Sequence, residues 1–199
     1  MKSQCVVYCV IFLALVSAKE SPKEKINKRN LKRAIEDFTQ NVYIQLATNL
    51  RNENFVFSPL SLHSALSMVY LGSKVDSNTY QELRKSLGRV SSPKALKDSF
   101  KAYIKFLLTQ PSIKYGNHIW VRDGYKIKQE YKNTVENYMN ANISSLDFNK
   151  ITAPEEVNQW VSETTNGKIN KESIITINLF NYGISMFYRI DSDDRIFRL

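Results

Sequence analysis

Both cysteines of this 199-residue chain, Cys5 and Cys9, lie within its first 18 residues. From Lys19 onward there is no thiol. That part of the chain cannot form a disulfide, hold a cysteine-based metal site or use a cysteine nucleophile. Its fold must therefore rest on buried apolar surface. About 180 residues suffice for one domain with a real core. A 43% hydrophobic share against 24% charged residues belongs to globular rather than disordered chains.

The first 18 residues read as a secretory signal peptide. Lys2 supplies the positive start, Val6 to Val16 is a short apolar run, and Val16-Ser17-Ala18 offers a small-residue cleavage site. That run is well short of the roughly 20 residues a bilayer requires, and no later stretch is apolar enough. The expectation is a secreted, extracellular protein with no membrane span. Its net charge of +9 favours an anionic partner. Outside the cell that means sulfated polysaccharide or a membrane surface before nucleic acid.

Residues 19–30 are lysine-rich without apolar period, which predicts a mobile basic N-terminal tail. From Leu31 the pattern changes. Leu31, Ile35, Phe38, Val42 and Leu46 recur at helical spacing, predicting an amphipathic helix over 31–49. Asn54–Phe57 is short, apolar and β-prone, ended by Pro59. Ser61 is the expected N-cap of a largely apolar helix running to about Leu71 and closed by Gly72. A shorter helix follows over Asn78–Leu87. Ser92 and Pro93 open a third long helix over 93–108. Ile113–Val121 reads as a strand, Gln129–Met139 as a helix and Ser144–Phe148 as a strand. Pro154 opens a last helix that Thr165-Asn166-Gly167 closes. Helices broken by isolated strands with few hairpins indicate an α+β domain.

Two separated blocks carry a family resemblance. Asn54-Phe55-Val56-Phe57-Ser58-Pro59-Leu60-Ser61, continuing through Ala65-Leu66-Ser67-Met68 to Leu71-Gly72, is one. Val157-Asn158-Gln159-Trp160-Val161 followed by Thr165-Asn166-Gly167-Lys168-Ile169 is the other. Both resemble serpin motifs, in the family's order and spacing, and Phe38, Val42, Tyr43 and Leu46 fit its first helix. The resemblance covers about residues 31–176. It implies a partial serpin fold: a mostly helical N-terminal half with a few strands of incomplete central sheets. It implies inhibition of serine proteases through a long bait loop near the family's C-terminus, which inserts into the central sheet after cleavage. It also implies that the serines matching Ser58 and Ser61, with Pro59 between them, lie where that sheet opens.

Beyond Thr176 the resemblance stops. The family's long central strand has no match in 177–199, a tail rich in Ile, Asn, Phe and Tyr without evident periodicity. No reactive-centre residue can be assigned, and the chain is expected to be truncated and not inhibitory by itself. A basic glycosaminoglycan-binding module and a non-productive splice or gene product are the alternatives.

His63 and His118 each stand alone in the sequence, so no metal site, cofactor or catalytic group is expected. Two surface features remain. Lys94, Lys97, Lys101 and Lys105 fall within about an 80° arc of the third long helix, a basic stripe suited to heparin-like polysaccharide. Asn142-Ile143-Ser144 is a glycosylation sequon.

Overall fold

The computed structural model describes residues 21–50, 55, 57–88, 92–111, 113–169, 177–179 and 182–190. The predicted signal peptide lies outside this set. Helix α1 spans Pro22–Asn49, α2 Pro59–Gly72, α3 Asn78–Ser86 and α4 Pro93–Leu107. Strand β1 (Ile113–Arg122), helix α5 (Gln129–Met139), strand β2 (Ala141–Leu146) and helix α6 (Ala153–Thr164) follow, then strands β3 (Ile177–Leu179) and β4 (Tyr182–Ile190).

The first helix begins nine residues before the expected Leu31, so residues 22–30 are helical rather than a mobile tail. The cause is local. Ser21 and Glu24 form a reciprocal capping box, and Pro22 fills the first turn, where its missing N–H is no loss. Glu24 then pairs with Lys105 at 3.2 Å and Lys23 with Asp98 at 3.6 Å, which ties the new turns to α4. Leu31, Ala34 and Phe38 are the residues that α1 buries.

Helix α2 also starts earlier than expected. Its N-cap is Ser58, whose hydroxyl accepts from the Ser61 amide, with Pro59 at the first helical position. Ser61 is thus inside the helix and is not its cap. Gly72 ends α2 without a left-handed φ. A Cβ there would lie 2.8 Å from the Tyr131 ring of α5, so the glycine serves close helix approach. Of the predicted strand at Asn54–Phe57, residues 54 and 56 lie outside the described residues, while Phe55 and Phe57 belong to no strand. Phe55 and Phe57 stack loosely on each other at 6.3 Å, and Phe55 on Tyr43 at 5.9 Å.

The sheet has order β2-β1-β4-β3. β1 and β2 are parallel, with α5 as their crossover, and β1 pairs antiparallel with β4. Two differences from expectation stand out. β2 occupies 141–146 rather than 144–148, because Asn140 takes a left-handed φ of 49° and ends α5 directly into the strand. And the 177–199 tail, read as patternless, contains strands β3 and β4.

β1 is buried continuously from Tyr115 to Val121 because both faces are covered. Tyr115, Ile119 and Val121 join the main core with Met68, Phe100, Ile104, Val135 and Met139. Trp120 joins a second cluster with Leu146, Ala153, Val157 and Trp160, under α6. Gly116 allows that helix to settle: a Cβ would meet the Thr164 methyl at 2.7 Å.

Candidate functional site

Polar groups buried on the two faces of β1 define the most unusual chemistry of the molecule. On the helical side, α2 carries His63, Ser64 and Ser67 on an otherwise apolar surface, all fully buried. His63 Nε2 bonds the Leu87 carbonyl at 2.9 Å, and its Nδ1 lies 3.4 Å from the Ser67 hydroxyl. The ring is wedged between Phe38 and Phe100 at 5.3 and 5.8 Å. Burial lowers its pKa to about 4, against a smaller upward push from the Leu87 carbonyl, so it is neutral at pH 7.

A second chain runs beside it. Ser64 Oγ lies 3.4 Å from Tyr115 Oη, Asn117 donates to that hydroxyl at 2.8 Å, and its other amide hydrogen goes to the Met139 carbonyl at 2.6 Å. Burial raises the Tyr115 pKa, opposed by its bonds to Ser64 and Asn117. The chain joins α2, β1 and the end of α5. It resembles a structural polar network that sets one packing arrangement, although the Asn117 Oδ1 is buried without a partner among the described residues. Ser67 beside His63 superficially suggests a nucleophile and base. Both are sealed from solvent, so no substrate can reach them.

On the opposite face His118 stacks on Trp120 at 4.0 Å with the rings 5° from parallel. Trp160 of α6 meets both edge-on, at 5.0 and 5.4 Å. His118 Nε2 bonds Ser144 Oγ of β2 at 2.8 Å. Its Nδ1 is buried and has no partner among the described residues. Burial takes this pKa also to about 4.

The residues singled out from sequence are not brought together. Ser58 is the α2 cap, and the Ser61 hydroxyl is buried without a partner among the described residues. Lys94, Lys97, Lys101 and Lys105 do share one side of α4, while Leu96, Phe100, Ile104 and Leu107 fill the other. Each lysine already has a neighbour. Lys94 pairs with Asp98 at 3.5 Å and Lys105 with Glu24. Lys97 and Lys101 both lie 5.2 Å from the Tyr138 ring centre. Asn142 is exposed on β2, in register with His118. The Thr165-Asn166-Gly167 stop is a double left-handed turn, with φ of 54° and 73° at Asn166 and Gly167. Gly167 N–H returns to the Ser162 carbonyl at 2.7 Å, and Thr165 Oγ1 receives the Ile169 amide at 3.1 Å. No group of three or more His, Cys, Asp or Glu placed to hold a metal occurs among the described residues.

Sequence reasoning passed over the buried polar chain. Its one linear signal was the insertion of His63, Ser64 and Ser67 into an apolar helix.

A helical layer packed on a sheet built around a β1–α5–β2 crossover defines a class of α+β domain. The Serpin (serine protease inhibitor) family matches residues 33–176. A serpin-like protein of Thermococcus kodakarensis is 34% identical over 143 residues, which is 68% of this chain and 32% of that protein. Human neuroserpin is 30% identical over 141 residues, covering 68% of this chain and 34% of its own. Among solved structures, cleaved Serpin 42Da aligns with a TM-score of 0.63 at 31% identity, covering 69% of this chain and 37% of that one. The chain belongs to the serpin family. It spans about a third of the length of these relatives.

Proposed function

We propose that the protein is a secreted member of a serine protease inhibitor family whose 199 residues do not trap a protease by themselves. The observation that carries this is the family match across the helices and the β1–β2 pair, which stops at residue 176. The bait loop that the resemblance implies has no counterpart in these residues. On this reading residues 1–18 are removed, the chain acts as scaffold without catalytic groups, and Ser58, Pro59 and Ser61 belong to the region where the family's central sheet opens. Incubation with a panel of serine proteases tests it: no covalent complex that survives SDS is expected, and one such complex overturns it. The secreted protein should begin at Lys19.

A second reading is favoured by one observation. Lys23 of the first helix and Lys94 of α4 share Asp98, which adds Lys23 to the basic surface. It is a candidate for a sulfated polysaccharide, held by charge and so released by salt. Elution of the folded protein from heparin at or below physiological ionic strength counts against it. Asn142, exposed on β2, is the proposed glycan site.

A further inference from the structure

The longest pairing in the sheet is made by a segment outside the family stretch. β1 is covered on both faces, so only its edges remain to be satisfied, and the N–H and C=O groups along each need partners. β2 meets one edge in parallel register from Asn117↔Ala141 to Arg122↔Leu146. β4 meets the other, antiparallel, from Ile113↔Ile190 to Val121↔Tyr182. β2 lies within residues 33–176, whereas β4 lies wholly beyond them. β4 also lies against α2, the helix that carries His63, and so links the sheet to the helical core.

We infer that residues 182–190 act as a built-in strand complement that occupies the β1 edge and keeps it from pairing with an extended segment of a second copy of this chain. An uncovered edge next to a fully buried strand is a template for such pairing. The occupant here is the chain's own segment, in a register that leaves none of Ile113–Val121 without an opposite residue.

Neighbouring residues of an antiparallel strand turn their N–H groups to opposite edges. Proline at Met186 and proline at Phe187 therefore remove one amide that faces β1 and one that faces away. Both positions lie beyond the Tyr182–Ile184 stretch that pairs with β3, so the amide facing away has no ladder partner among the described residues. Each proline variant of the full chain is compared with alanine at the same position, which cancels loss of the side chain. In one of the two, amide exchange at Asn117–Val121 should quicken at least tenfold. That variant should gain dimers or larger species by light scattering, and a synthetic peptide of residues 182–190 should return it to the size of the unchanged chain. The other variant should match its alanine reference. Equal effects from the two prolines, no effect from either, or failure of the peptide to restore the size would each overturn the inference.

Discussion

The two histidines occupy opposite faces of one strand layer and are shifted the same way, yet their surroundings differ. His63 sits among α1, α2 and α4, with both ring nitrogens near a polar atom and benzene rings on either side. His118 lies under α6, with one nitrogen bonded to Ser144, the other without a partner among the described residues, and indoles around it. The first is sealed by close packing on every side. The second is held mainly by stacking beneath one helix whose other side faces water. Equal titration behaviour therefore conceals unequal mechanical roles: the helical core should carry stability, and the seam under α6 should be the softer part.

Truncating the aromatic wall on each side tests that difference most strongly. Phe100 is fully buried against His63, and Phe100→Ala should cost about 3–5 kcal/mol in a denaturant melt. Trp160 is only partly buried, so Trp160→Ala should cost clearly less despite removing a larger ring. A larger loss at Trp160 would make the seam the stronger half and reverse the comparison.

Acid provides the next test. Both folded pKa values are lowered from 6.5 to about 4, so the folded state resists a proton that the unfolded chain accepts. Stability should be unaffected above pH 6.5, fall as pH drops from there to 4, and stop falling through these groups below 4. For His63 the loss over that window is at most about 3 kcal/mol. His63→Gln keeps a donor for the Leu87 carbonyl and cannot titrate, so it should flatten this part of the curve. His118→Gln should flatten it as well, because burial holds that ring to about 4 too.

Much of this was legible in the sequence where the determinants are local. Apolar residues at helical spacing and a serine-proline start located α4. The turn signal Arg122-Asp123-Gly124 marked the end of β1, and Thr165-Asn166-Gly167 ended α6. What escaped notice depended on partners far along the chain. The first turns of α1 lack an apolar face. They are held by the Ser21–Glu24 box and by ion pairs to residues more than 70 positions away. β4 has no clean alternation, and its register follows from the open edge of β1. The polar chain joins Ser64 to Tyr115 and Asn117 to Met139, pairs that only the folded topology brings together.

The smallest expected effect concerns how the two regions begin their helices. α2, which carries His63, opens with the Ser58 hydroxyl accepting the Ser61 amide at 3.3 Å. α6, which covers His118, opens after Thr152 with no side-chain cap bond. Ser58→Ala should thus cost about 1 kcal/mol, while Thr152→Ala should lie within experimental error of zero. Ser61→Ala separates capping from simple hydroxyl loss in the same turn. The Ser61 oxygen is buried without a partner among the described residues, so its removal relieves a desolvated group and should leave the midpoint unchanged or slightly raised. If Ser61→Ala destabilised more than Ser58→Ala, the hydroxyl at 61 would be the bonded one. The start of α2 would then be set by a contact to Ser61 rather than by its cap.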